Sequence, residues 1–392
     1  MAARVWPIPP DWTNGVQERL EWSTDVLRAS ATARSQHRSL RIGPRRSLTF
    51  EVFDQAQAFR AARMLLAGHS GLWQLPVWFD VQWFSAPLAA ASSEIPCATA
   101  GFDFIAGGRA LLYTSMREHE FVEIEAVDAD RLVLAAPTVN AYGAGSRLYP
   151  LRLARVEAGA EQRLSNAQLA RCSLTFDFVE PCDWPALASA TEYLGHPVLE
   201  VRPDESSEIS QSWERMLSTV DYGIAAPVVH DLSGVALPAQ QNRFIVQGRD
   251  EHTWLRSLLY TLRGRGTPIW LPSWADDLRP VAAITGAAMS IEWCGYTRLA
   301  AGKPNRRDVC IELFDGTRHY RRITAAAEAV GDKETLTLSA ALGGTIQPEH
   351  IRQVSIMSLA TLASDAAEIE HTTDQDGIAS VSLGFSAVLP DV

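Results

Sequence analysis

WQLPVW, Trp73 to Trp78, and IWLPSW, Ile269 to Trp274, both place Leu-Pro two residues ahead of a tryptophan, half a chain apart. Their surroundings match as well. Upstream of the first, RRSLTFEVF (Arg45 to Phe53) alternates Leu48, Phe50 and Val52 with polar residues, the period of a strand with one buried face. Asp54 and Gln57 have the spacing of a capping box, Phe59, Ala62 and Leu66 recur at helical spacing, and Gly68 stands where a C-cap is expected. Upstream of the second, NRFIVQG (Asn242 to Gly248) alternates Phe244 and Val246, and Asp250 is placed to cap a helix. Trp254, Leu255, Leu258, Leu259 and Leu262 give that helix one broad apolar face before Gly264 closes it.

The match extends outward in both directions. Pro10-Asp11 opens the first half and Pro203-Asp204 the second; Leu132 and Leu134 answer to Leu336 and Leu338. LTFDFVEP (Leu174 to Pro181) and LGFSAVLP (Leu383 to Pro390) share the pattern L-x-F-x-x-V-x-P. The separations rise in order from Pro10/Pro203 through Leu75/Leu271 and Leu132/Leu336 to Leu174/Leu383, as insertions in one copy would make them. The sequence therefore reads as a tandem duplication: a first module over 1–185, a linker over 186–202 and a homologous second module over 203–392. Stretches such as RALLYTSM, FVEIEAV, VCIELF and ETLTLSA alternate like short strands, with FDGT and VGDKE as turns. The expected fold is mainly β (α+β), each module a β-sandwich or barrel with one packed helix. The regular βα alternation of a doubly wound sheet is missing, which argues against a Rossmann-type enzyme.

Composition narrows the function. Of the 392 residues, 47% are hydrophobic and 21% charged, which suits folded globular modules. No clean apolar run of about 18 residues offers a membrane span, and MAARVWPIPPDW lacks a secretory h-region, so neither membrane insertion nor export is expected. Five dispersed cysteines, with no C-x-x-C, point to reduced thiols in a cytoplasm and to no metal or other cofactor. A net charge of −11 argues against a nucleic-acid reader, though not against a protein that DNA must pass without sticking.

STDVLRASATARSQHRSLRIGPRRSLTFEVF, followed by a helix, a glycine and an aromatic strand ending at Asp80, resembles the distal tail protein of tailed bacteriophages and gene-transfer particles. The Ser-rich turn followed by Gln36 and Arg38, and the later LYP (Leu148 to Pro150), carry that resemblance over about residues 1–185. The second half, YGIAAPVVHDLSGVALPAQQNRF, lacks the arginines and the Ser-rich turn and joins through the repeat. The resemblance implies tail-tube-like modules in a structural virion protein, assembled in the host cytoplasm and placed at the distal end of a long tail. It implies a ring that joins the tail tube protein to the baseplate hub protein, near the tape measure protein, with DNA passing through an acidic lumen without specific binding. Two modules per chain allow a ring of three chains with pseudo-six-fold symmetry, or else six chains.

No catalytic constellation is expected. GHSG (Gly68 to Gly71) lacks the G-x-S-x-G spacing, REHEF offers one histidine where a zincin needs two, and Asp128/Asp130 and Asp276-Asp277 fall in turns. The expected anchors of core or subunit interface are Trp73, Pro76, Trp78, Trp270, Pro272 and Trp274, with Arg45 and Arg46 as candidates for ion pairs. The alternative function is a baseplate adhesion module that binds host glycans through exposed tryptophans.

Overall fold

The computed structural model describes residues 3–29, 32–156, 161–167, 169–188, 190–206, 208–374 and 377–389. It is mainly β. The first half is framed by β1 (Val16–Glu21), β2 (Arg45–Gln55), α1 (Ala56–Gly68), β3 (Trp73–Pro76), β4 (Arg109–Tyr113), β5 (Arg147–Val156), β6 (Glu161–Asn166) and β7 (Leu169–Phe178). The second half supplies the same series: β8 (Ser210–Val220), β9 (Val228–Gln247), α2 (Gly248–Leu262), β10 (Ile269–Pro272), β11 (Asp308–Leu313), β12 (Ile351–Leu362), β13 (Ala366–His371) and β14 (Ile378–Ala387).

The pairing repeats along with the order. In the first half β1 pairs with β2, β2 with β7, β7 with β6, and β5 with β3, β4 and β7, all antiparallel. In the second half β8 pairs with β9, β9 with β14, β14 with β13, and β12 with β10, β11 and β14, again antiparallel. Each strand thus has its counterpart seven labels on. Even the parallel entry recurs: Val5 pairs with Gln74, and Val198 bridges Trp270. Val198 and Leu199, inside the stretch expected as linker, are docked on β10, Leu199 donating its N–H to the Trp270 carbonyl.

The local sequence explains these elements. Leu48, Phe50 and Val52 are all nearly inaccessible, and they share a core with Ala62 of α1, with Leu65 and Leu66 packed against it. Each such side chain contributes about 1.5–3 kcal/mol by leaving water. In α2, Leu255, Leu258, Leu259 and Leu262 do the same for Phe244 and Val246. Pro76 and Pro272 end the four-residue strands β3 and β10, because a residue without an N–H cannot extend the ladder. The expected cap at Asp250 gives way to an N-cap at Gln247, since Gly248 at φ 81° turns the chain into the helix earlier. Glu251 accepts the Gln247 N–H instead, at 2.7 Å. The side chain of Asp54, and Pro390 of the second L-x-F-x-x-V-x-P, lie outside what is described.

Where the second half loses the Ser-rich turn, the hairpin persists. Thr24–Arg28 pairs with Ser35–Ser39, and its counterpart is the pairing of Leu217 to Val220 with Val228 to Asp231.

The two halves are joined by a second ladder on β1. Val16 pairs with His371 of β13, Glu18 with Ile369 and Glu21 with Ala366. One antiparallel sheet therefore runs β6–β7–β2–β1–β13–β14–β9–β8 through the whole chain. At this seam Gly264, at φ +66°, has no room for a side chain: a Cβ would stand 2.6 Å from an Asp365 oxygen and 3.0 Å from Trp22.

Candidate functional site

The two faces of this through-sheet differ in chemistry. On the inward face of β1, Val16, Glu18 and Leu20 are buried, Glu18 completely. A carboxylate at that position needs partners, and both halves provide them. Arg46 of β2 donates through Nε at 2.6 Å, and Arg256 of α2 donates through Nη2 to both oxygens at 3.1 Å. His371 of β13 donates its Nε2–H at 2.9 Å. The network continues outward. Arg46 also binds Asp103 at 2.5 Å, Arg152 forks onto the same Asp103, and Arg249 of α2 donates to Asp80 at 2.7 Å and to the Gly101 carbonyl.

The electrostatics follow from this geometry. Burial alone would raise the Glu18 carboxyl, but Arg256 and Arg46 overrule it and hold its pKa well below the usual carboxylate range. Asp103 is lowered in the same way, burial being outweighed by Arg46 and Arg152. His371 is depressed by burial against its hydrogen bond to Glu18, so a neutral imidazole makes that bond, stacked flat on Phe79 at 3.6 Å. His252 of α2 is pushed down to about 4 by burial and by its neighbour His371, and it bonds the Gly377 carbonyl. The arrangement locks one module to the other. Its charged members are each engaged by opposite charge, so it presents no free acid or base.

The outward face is open and polar. Gln17, Arg19 and Glu21 of β1 and Arg45, Ser47 and Thr49 of β2 line a broad, shallow concavity of about 650 Å³. Its charges are balanced: Arg19 lies 3.0 Å from Glu21 and 3.4 Å from Glu368, and Arg155 lies 3.6 Å from Asp177. The strand partners of its carboxylates carry arginine: Glu21 faces Arg45, Glu368 faces Arg19 and Asp177 faces Arg155.

Arg46 is an anchor, buried at the seam, whereas Arg45, one residue away in a period-two strand, points to the open face. Trp73, Trp78, Trp270 and Trp274 are at most 7% exposed, and Pro76 and Pro272 are buried beside them. The LPxW segments are therefore core, and these four rings are not surfaces for sugars or for another subunit. The most exposed tryptophans are Trp83, Trp213 and Trp293. Glu18, Arg256 and His371 were missed by sequence reasoning. Their signal is a charge on the apolar phase of V16-x-E18-x-L20, which marks a buried carboxylate in want of a partner.

The remaining motifs make local hydrogen bonds. His69 in GHSG bonds the Leu72 carbonyl, and Glu120 of REHEF accepts the N–H groups of Val139 and Asn140. Asp277 accepts the Ile356 N–H, and Asp276 that of Val354. Among the described residues no cluster of metal-ligating side chains and no helix long and apolar enough to cross a membrane is present. The five cysteines form no disulfide. Neither a family model nor a curated protein matches this sequence.

Proposed function

We propose that the protein is a structural component of a long-tailed phage particle, forming a ring at the distal end of the tail. Three chains supply six modules, joining the tail tube protein above to the baseplate hub protein below, next to the tape measure protein. DNA passes along the open sheet face, where arginines already paired with carboxylates offer phosphates little counter-charge. The mechanism is assembly, with no chemistry, in the host cytoplasm and then in the virion. The observation that carries this reading is the single sheet that passes from one copy of a module into the next, with a polar outward face where β1 joins its neighbours. A unit that repeats head to tail makes heterologous contacts, which form a ring when the rotation between copies closes. The rival with six chains places the second module in its own tier. Glycan adhesion through the LPxW tryptophans loses its support, since those rings are buried.

Deleting the gene from a phage genome tests the function. Heads with aborted tails lacking baseplates are expected; normal infectious particles would overturn the proposal.

A further inference from the structure

The through-sheet has two outer edges, β6 and β8. Among the described residues β6 forms a ladder with β7, β8 forms one with β9, and neither has a second. Their counterparts in the other module are β13 and β1, and those two are paired with each other inside the chain. One molecule thus holds a complete β1–β13 seam and the two separated halves of another.

Resting on the ring reading above, we propose that β8 of one copy pairs antiparallel with β6 of the next, in the register that the internal seam prescribes. The counterparts follow from the ladders. Leu174 answers to Leu383, and their partners are Phe50 and Asn242. Phe50 pairs with Val16, and Ser210 pairs with Gln241, so Val16 answers to Ile209, Glu18 to Gln211 and Leu20 to Trp213. At the other edge Gln162 pairs with Cys172 and Ile369 with Val381, so Ile369 answers to Gln162 and His371 to Leu164. Transferring Val16↔His371, Gln17↔Glu370 and Glu18↔Ile369 gives Ile209↔Leu164, Ser210↔Arg163 and Gln211↔Gln162 between copies.

Three observations support the pairing. First, burial: Leu20 is 1% exposed under its cover, whereas its counterpart Trp213 is 59% exposed and Leu164 60%. A strand of eleven residues with ten exposed is an edge that natural proteins otherwise shorten or blunt. Second, direction. Trp22 at the end of β1 donates its N–H to the Asp365 carbonyl beside β13, at 2.8 Å. The even-numbered residues of β1 therefore aim their backbone groups at β13, and their counterparts Gln211 and Trp213 aim theirs at the open edge. Third, chemistry. The internal seam buries an ionised carboxylate, Glu18, against His371; at the open edges these positions are Gln211 and Leu164. A seam between separate molecules built on amide and apolar side chains avoids burying that charge on association. Three copies would close the sheet into a barrel of about 24 strands, roughly 45–50 Å between backbones at ordinary spacing and tilt.

The test is a pair of cysteines in the full chain, Arg163→Cys with Ser210→Cys. These positions form a pair without mutual backbone hydrogen bonds, with Cα atoms about 4.5 Å apart, within disulfide reach. Under mild oxidation the double variant is expected to give covalent dimers and then a closed trimer on a non-reducing gel, while each single variant gives neither. Gln211→Pro, which removes an N–H at the open edge alone, is expected to weaken self-association at least tenfold with unchanged circular dichroism. A native mass showing a multimer, without the crosslink, overturns the edge pairing and leaves the ring standing. Crosslinked dimers that never extend overturn it in favour of a two-fold contact. A monomer at every concentration, without crosslink, also overturns it, and the ring is then judged separately by the deletion phenotype.

Discussion

His371 donates its Nε2–H to Glu18 at 2.9 Å, a bond between residues 353 positions apart that ties the last strands of the chain to its first. Glu18 is also the shared acceptor of Arg46 and Arg256, so one carboxylate holds cations from both modules.

Glu18→Gln leaves the buried Arg256 without its anion and Arg46 with Asp103 alone. The expected loss is about 3–5 kcal/mol in urea denaturation. Since the carboxylate bridges the halves, a single unfolding transition is expected to split into two. A variant within 1 kcal/mol of the parent, as an order of magnitude, would show that the ladder alone holds the seam.

Acid should loosen the seam in two stages. His252 is pushed down to about 4, so in the folded protein it stays neutral while the unfolded chain takes up a proton below its ordinary pKa near 6.5. Stability therefore falls as pH drops from about 6.5 towards 4, by about 3 kcal/mol from this group. Glu18 and Asp103, both lowered, add a second loss at lower pH, from the ordinary carboxylate range down through their folded values. Urea midpoints at pH 7 and pH 5 should differ in the parent and differ less in His252→Gln, the remaining fall coming from His371, which burial also depresses; an equal fall in both proteins would contradict this.

Trp78→Ala and Trp274→Ala each empty a large core site. A loss of about 3–5 kcal/mol is expected, visible as a lower melting temperature. A variant that melts like the parent yet loses affinity for a glycan would revive the adhesion reading.

Glu334 is completely buried and accepts the N–H groups of Cys294, Tyr296 and Thr297. Burial would raise its pKa, but these bonds bring it down to about 2. Glu334→Ala should cost about 1–3 kcal/mol at pH 7 by orphaning those donors. The carboxylate's contribution is present above its ordinary pKa near 4.5 and fades as pH falls towards 2. The two proteins should therefore approach each other in stability across that window, and a gap independent of pH would assign the loss to packing instead.

Trp213→Ala removes an exposed ring from the open edge. Monomer stability should stay within about 0.5 kcal/mol of the parent, while sedimentation at increasing concentration shows weaker association. Unchanged association would remove Trp213 from any interface.

Much of the architecture was legible where one periodicity ran unbroken. The alternation Leu48-Phe50-Val52 and the leucine face of α2 announce their elements, and LPxW announces their repetition. The strand Val16–Glu21 announces itself less, because Glu18 breaks its apolar phase, and the partners that justify it lie on α2 and at the far end of the chain. Likewise Gly234 and Pro238 interrupt the pattern of β9, a twenty-residue strand whose continuity comes from pairing first with β8 and then with β14. Composition could place tryptophans in a core or at an interface; only tertiary packing sorts Trp78 from Trp213.

Because one polypeptide carries both modules, the β1–β13 seam closes as an intramolecular step, at an effective concentration on the order of millimolar however dilute the protein is. Its formation is thus independent of expression level. A chain cut between the modules would turn the same contact into an equilibrium between two molecules, with Glu18 and its cations setting how long each encounter lasts.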